Sequence, residues 1–493
     1  GNTFFDSIKF NNLSDDFVTV SPTNKGFKVD VPTYHTFTNK SYQGNRTLQA
    51  LDKKGNYYFV KEVTLNDVNY IEEDVFELER IQERFYKNLE LEYKKGVFEN
   101  KDKSSFISDV YLKKEDKTLY LKTVTNGSHY YLLGYISKND KMKNTFFNSF
   151  KIINFEYPKE IFEKKIDTSL YFSVNSNVNP TFNRYQFNNS KRKKYEAYNK
   201  ATNYTNSANE KIFVKLNKLN DLASYDNVDS LWKKETHSND FSKVINSIKN
   251  NIKLNFNSFY SSNRLEKKNI TKGIDKNGHQ YYSYYLKDSL SSKAIKIKNI
   301  LVTGAIYELK TLVDTSFVES KFVTEFYNSF KPKDTVLGAS LFKDKTAQFF
   351  TALKNKDSLA LNSYNAVNFK KKDIKQLINT LENYPFEENQ LDIKEHLIEE
   401  LSTFKTKKVI SFLEDLYIKS FKNPNNQITI IKSISKDKSE KSYAKLLELL
   451  EADIPLTSNS YQITGMMNKI GDSLSVAKNL FPELLNYTTI SEY

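Results

Sequence analysis

Between residues 26 and 155 the apolar positions follow two periods, and together they predict an α/β unit. The stretch 27–31 alternates apolar and polar residues as a half-buried strand does, and 57–65 forms another strand after a Gly55-Asn56 turn. From 72 to 93 the apolar residues Val75, Phe76, Leu78, Ile81, Phe85, Leu89 and Leu91 fall mostly three and four apart among charges, which predicts an amphipathic helix. Strand patterns return at 106–112, 118–125 and 130–136, with Asn126-Gly127 marking a tight hairpin between the last two. A second stretch, 168–332, repeats this order. It offers strands at 170–174, 212–216, 281–286, 294–300 and 306–313, a helical region at 230–252 holding Trp232, and a Thr303-Gly304 turn. An Asn/Tyr/Lys-rich insertion at 176–210 has few aliphatics and carries the basic run Lys191, Arg192, Lys193 and Lys194; a surface loop or partly disordered segment is expected there.

Beyond Pro332 the strand period disappears. Helical patterns follow one another at 339–354, 371–382, 390–404, 406–420, 426–436, 439–451, 459–470 and 473–487. Phe412-Leu413-Glu414-Asp415-Leu416 is matched by Leu446-Leu447-Glu448-Leu449-Leu450 and again by Phe481-Pro482-Glu483-Leu484-Leu485, at spacings of 34 and 35 residues. A helical hairpin repeated at that period cannot bury its apolar face alone, so the pairs are expected to stack. They resemble HEAT repeats.

A second repeat runs through the first half. Phe4-Phe5-Asp6-Ser7-Ile8-Lys9 recurs as Phe146-Phe147-Asn148-Ser149-Phe150-Lys151 and as Phe326-Tyr327-Asn328-Ser329-Phe330-Lys331, the mark of a duplicated domain read at its C-terminal edge. Residues 1–10 are then the tail of a preceding repeat, and the chain is expected to be a fragment of a longer polypeptide.

Composition sets limits. The 493 residues suit about three domains, and 39% hydrophobic against 27% charged residues suits packed ones. The absence of cysteine removes disulfides, thiolate catalysis and the usual structural zinc sites. A net charge of +14 suggests a polyanion partner. Of the 74 basic residues, however, only Arg46, Arg80, Arg84, Arg184, Arg192 and Arg264 are arginines, so bidentate recognition is scarce. With so much Asn, Tyr and Phe alongside, the charge reads as the codon bias of an AT-rich genome, and no nucleic-acid partner is expected.

Chemistry is thin. His35, His129, His237, His279 and His396 lie in no ligand spacing, and phosphate loops and nucleophile elbows are lacking, so no catalytic residue, metal or cofactor is assigned. His129 reads as a solvated hairpin residue and Glu72-Glu73-Asp74 as the acidic start of a helix. Tyrosines provide the positive signal. Tyr130, Tyr131 and Tyr135, with Tyr281, Tyr282, Tyr284 and Tyr285, stand on both faces of their strands, which suggests an exposed aromatic patch suited to protein or glycan contact.

The phrase Phe27-Lys28-Val29-Asp30-Val31-Pro32, with Tyr130-Tyr131-Leu132-Leu133 and the terminal Phe146–Lys151 phrase, resembles the PsbP-like domain of Bacteroidota envelope proteins. The likeness covers 26–155 well and 168–332 loosely. It implies an antiparallel sheet covered by helices and a binding or accessory role. Asp-Ser/Thr-aliphatic tripeptides are similar to the O-glycosylation sequence of that phylum, with acceptors Ser7, Ser230, Ser289, Thr335, Ser358 and Ser473, which implies a periplasmic or surface address.

The expected fold class is α+β. A tail at 1–10 precedes PsbP-like domains at 11–155 and 156–332, and an all-α HEAT-like solenoid fills 333–493. The expected function is a non-catalytic scaffold that binds other proteins of an outer-membrane assembly or secretion complex, with only indirect membrane association. Two alternatives are accessory domains of an envelope hydrolase and a lysine-rich binder of nucleic acid or anionic lipid.

Overall fold

The computed structural model describes residues 14–478, 483 and 490, apart from 24, 41–44, 65–67, 69–70, 72, 93–94, 102, 127–128, 157–160, 182–194, 237–264 and 316–318. Antiparallel sheets occupy the N-terminal half and helices the C-terminal region. The chain divides into two compact units. One holds residues 1–190, 198–218 and 229–337; the other holds 191–197, 219–228 and 338–493.

The sheet unit contains the same module twice. In the first module, β1 (Phe17–Val20) and β2 (Lys25–Pro32) lead into β3 (His35–Lys40), β4 (Asn45–Leu51) and β5 (Tyr57–Thr64). Helix α1 (Asp74–Asn88) precedes β6 (Val97–Phe98), β7 (Ser105–Leu112), β8 (Lys117–Asn126) and β9 (His129–Ser137), and α2 (Lys143–Ser149) precedes β10 (Lys151–Phe155). The second module comprises β11 (Glu163–Asp167), β12 (Phe172–Ser176), β13 (Pro180–Thr181), β14 (Tyr198–Thr205), β15 (Lys211–Lys218), α3 (Val228–Glu235), β16 (Glu266–Ile274), β17 (Gln280–Lys287), β18 (Lys293–Val302), β19 (Ala305–Asp314), α4 (Lys321–Ser329) and β20 (Lys331–Pro332). The seven-stranded sheets run β3-β4-β5-β9-β8-β7-β6 and β13-β14-β15-β19-β18-β17-β16, and the three-stranded ones β1-β2-β10 and β11-β12-β20. Each strand of the second module thus takes the place of the strand ten earlier, the structural form of the repeat in the sequence.

The recurring terminal phrase has a physical reason. In α2 the Ser149 hydroxyl donates to the Phe146 carbonyl at 2.7 Å and accepts the Asp30 N–H at 3.0 Å. In α4 Ser329 donates to the Glu325 carbonyl at 2.6 Å and accepts the Asn175 N–H at 2.8 Å. The serine therefore satisfies a helix-end carbonyl and an otherwise unpaired strand donor at once. The last aromatic completes the closure: Phe150 lies 5.6 Å from Phe27, and Phe330 stacks at 4.8 Å on Phe172. The partners belong to a second shared phrase, Phe27-Lys28-Val29-Asp30 and Phe172-Ser173-Val174-Asn175.

Both faces of the first sheet are covered. Phe27, Val29 and Val31 of β2 and Phe146 and Phe147 of α2 pack on Leu48, Tyr58, Val60, Tyr131, Leu133 and Tyr135, while Tyr86 of α1 packs on Phe59, Leu119, Leu121 and Leu132 opposite. Strand β9 is buried along nearly its whole length, which its continuous apolar run requires. Gly134 admits the Phe59 ring, whose atoms lie about 2 Å from where a Cβ would stand. In the second module Phe172, Val174, Phe322, Phe326 and Phe330 cover one face. On the other, Ile71 from the first module joins Tyr284, Leu286, Ile295 and Ile297.

The expected insertion at 176–210 is in part a strand. Residues 198–205 form β14, paired along its length with β15. Ala201, Thr202 and Tyr204 are its buried residues, so too few aliphatics mark the strand for its pattern to show. Of the expected helical region at 230–252, the structure describes α3 and Thr236; the rest lies outside the described residues.

The helical unit contains α5 (Thr346–Lys354), α6 (Ser358–Ser363), α7 (Ile374–Asn383), α8 (Leu391–Ser402), α9 (Lys407–Lys419), α10 (Pro424–Ser435), α11 (Glu440–Ala452), α12 (Ser460–Gly471) and α13 (Leu474–Ala477). Alternate helices stack in two rows, α8-α10-α12 and α9-α11-α13. The matched phrases occupy equivalent places in α9 and α11, where Phe412, Leu413 and Leu416, and Leu446, Leu449 and Leu450, are buried. Of the third phrase only Glu483 lies within the described residues. Leu222 is buried in this core. Lys345 Nζ ties the same segment by donating to the carbonyls of Asp221 at 2.6 Å and Ala223 at 2.9 Å.

Candidate functional site

Ionisable side chains converge at two places in the sheet unit. The first joins the modules. Lys293, at the start of β18, is 1% exposed and faces Asp74 and Glu77 in the first turns of α1. Its Nζ is 3.1 Å from Asp74 Oδ1, donates to Glu77 Oε2 and lies 3.0 Å from the Tyr130 hydroxyl. The Tyr130 ring sits under the ammonium at 5.0 Å and its hydroxyl donates to Glu77. Asp74 Oδ2 accepts the Ser292 N–H at 2.9 Å, and the Asp74 N–H donates to the Leu290 carbonyl at 3.2 Å. Burial pushes the Glu77 carboxyl above its ordinary range, while Lys293 and Tyr130 pull it back.

The second cluster lies within the first sheet. Glu62 on β5 is 1% exposed; Arg46 on β4 donates to its Oε2 at 2.5 Å and to the Lys25 carbonyl at 3.2 Å. His129 Nδ1 stands 3.1 Å from the Thr64 hydroxyl and 3.5 Å from Glu62 Oε1. Burial, aided by the Arg46 charge, pushes His129 down to about 3, so the imidazole is neutral and its approach to Glu62 is no ion pair. Burial raises the Glu62 carboxyl, and Arg46 opposes that rise. His129 is thus a buried residue. The expectation of a solvated one fails because β5 and β8 flank it on both sides.

The expected aromatic patch is corrected in the same way. Tyr130, Tyr131 and Tyr135 are at most 1% exposed because α1 covers one face of their strand and β2 with α2 the other. Tyr284 is buried against Ile71 and Ile295, and Tyr281, Tyr282 and Tyr285 are half-buried. Trp232 of α3 stacks on Tyr282 at 5.9 Å, and Tyr285 donates to Glu319 at 2.9 Å. The basic run Lys191, Arg192, Lys193 and Lys194 lies outside the described residues, as does Ser7.

Among the candidate acceptors, Ser289, Thr335 and Ser358 are exposed, and Ser230 and Ser473 are half-buried. Two of these tripeptides have a local role. Asp288 accepts the Leu290 N–H and Asp357 the Leu359 N–H, each at 2.8 Å, and Asp357 caps α6.

No signal in the sequence pointed to Lys293, Glu77, Glu62 or Arg46. Lys293 and Glu77 stand 216 residues apart, and only the pairing of the two modules joins them. Asp74 was legible as a helix start, where it does sit, but its carboxylate is aimed at the other module.

Neither cluster exposes its central charge to solvent, so neither presents it to an external substrate. Exposed apolar side chains occur on both units, among them Ile161, Ile166, Ile270 and Ile274 on the sheet unit. On α9 Ile410 and Ile418 are 38% and 51% exposed, and Phe421, in the turn that follows, is 63% exposed. Among the described residues, no group of His, Asp and Glu has the makings of a metal site, and no helix is long and apolar enough to cross a membrane. Comparison with protein-family models and with curated proteins found no match for this chain.

Proposed function

We propose that this chain is a non-catalytic scaffold of the cell envelope. In this reading two PsbP-like modules lead into a HEAT-like solenoid that docks onto a larger outer-membrane assembly or secretion complex. The observation that carries it is the exposed apolar group at α9. Singly exposed apolar residues are ordinary, but Ile410, Ile418 and Phe421 fall within twelve residues on α9 and the turn after it, and such a group offers a contact surface that water solvates poorly. Supporting it, two rows of helices at a repeating interval resemble a solenoid, whose surfaces typically engage partners. The converging ionisable groups are sealed and already mutually satisfied, as structural ties are. Exposed Ser289, Thr335 and Ser358 are accessible to glycosylation, in keeping with an envelope address.

The test is affinity capture of the intact protein from solubilised envelopes, run beside Ile418→Asp and Phe421→Asp. A partner retained by the parent and lost from both variants, which stay folded by circular dichroism, is expected. A parent protein recovered as an unaccompanied monomer refutes the reading.

A further inference from the structure

The Lys293 cluster contains everything an amide-forming reaction requires, and it exceeds what a tie between modules needs. An amine and a carboxyl stand 3.1 Å apart in a site where the amine is 1% exposed. The far oxygen of that carboxyl accepts the Ser292 N–H, a fixed donor placed to stabilise the charge that grows on oxygen when the carbon is attacked. A second carboxyl, Glu77, touches the amine directly, and the Tyr130 hydroxyl and ring hold both in place.

The geometry points to an intramolecular isopeptide bond between Lys293 Nζ and the Asp74 side-chain carboxyl, formed with Glu77 as proton carrier and joining the two sheet modules covalently. Glu77 first relays one proton from the Lys293 ammonium to the Asp74 carboxylate, leaving a neutral amine beside a protonated carboxyl. The nitrogen then attacks the Asp74 carboxyl carbon and a carbon–nitrogen bond forms; Glu77 takes a second proton from the nitrogen and passes it to the departing hydroxyl, the carbon–oxygen bond breaks, and one water leaves. An ammonium and a carboxylate become an amide and water, with no oxidant or activated donor. Holding the two groups together lowers the barrier to condensation, with effective molarities of roughly 10⁵ to 10⁸ M for well-oriented groups. The product also replaces the buried Lys293 charge and the partly buried Asp74 charge with one neutral group, removing their desolvation cost and so favouring the amide. Burial that raises the Glu77 carboxyl suits it to hold a proton during transfer. The link would close a loop of 219 residues.

Intact-mass measurement of the denatured chain tests this directly. The parent is expected to weigh one water less than its sequence, and proteolysis should yield a branched peptide joining the segments around Asp74 and Lys293. Lys293→Arg and Glu77→Gln should each restore the full sequence mass. A folded parent at full mass overturns the proposal, whatever the variants do. A water lost within the Asp74 peptide alone marks a cyclised aspartate and also overturns it. A Glu77→Gln protein that still forms the branched peptide overturns the role given to Glu77. If Lys293→Arg does not fold, the parent mass and the Glu77→Gln mass decide.

Discussion

The two sheet modules share a strand order and the closure of their first hairpin but not the anchor beneath it, and the difference shows which parts of the design are indispensable. Both keep the serine that joins last helix to first hairpin, with nearly the same bond lengths. Both place a tyrosine of the central strand beneath the turn that opens the hairpin. Tyr307 donates to the Leu170 and Tyr171 carbonyls at 2.6 and 3.0 Å, whereas Tyr131 reaches the Gly26 carbonyl only at 3.4 Å. The residue before the shared phenylalanine is left-handed in both, Gly26 with φ 91° and Tyr171 with φ 58°. Glycine adopts that region freely and tyrosine does not, so the second module needs the stronger hydroxyl anchor that it has. The outer faces diverge further. The first sheet is covered by fifteen-residue α1; on the second, α3 stacks Trp232 on Tyr282 and Ile71 comes from the first module.

The largest expected effect tests whether the modules depend on each other. Lys293→Met leaves Asp74 and Glu77 facing a sealed, uncompensated site, and breaking such a group costs about 3–5 kcal/mol. In urea titration the variant should unfold well before the parent, or show the modules separating; an unchanged midpoint would mean they are independent. Gly134→Ala sharpens the comparison within the first sheet, because the new methyl collides with the Phe59 ring. Overpacking of this kind costs about 1–3 kcal/mol, read as a lower thermal midpoint. Ser149→Ala and Ser329→Ala should each cost about 1–2 kcal/mol and match within error, since each orphans one strand N–H. A clear inequality would break the equivalence of the two closures. Tyr307→Phe should cost about 1 kcal/mol, and Tyr131→Phe distinctly less, as its bond to the Gly26 carbonyl is long.

The smallest effect is on pH dependence. Burial raises the Glu62 carboxyl above its unfolded value, so its stabilising contribution is complete below the unfolded range and lost as pH rises through the folded one. Between pH 7 and 5 the parent should therefore gain stability relative to Glu62→Gln. Parallel profiles would show that Arg46 fully offsets the burial.

Much of this was legible in the chain and some was not, for physical reasons. The central strands announced themselves through apolar alternation, because each has at least one buried face. The helices after 370 were legible because each buries one stripe, as Leu377, Ile378 and Leu381 do in α7. Strands β3, β4 and β14 were not, since Thr, Asn and Gln dominate them and their register depends on neighbours. Tyrosine on both faces of a strand suggested exposure, yet both faces were covered. Long-range ion pairs leave no periodic trace, so Lys293 with Asp74 and Arg46 with Glu62 surfaced only with the fold.

The three-stranded ribbon β1-β2-β10 holds the strand by which the chain enters a module and the one by which it leaves on either side of β2. A unit whose doorway and exit share one wall can be copied in series without cutting its main sheet. Gene duplication then needs only a short joint, such as the one between β10 and β11, to lengthen the chain by a whole working part.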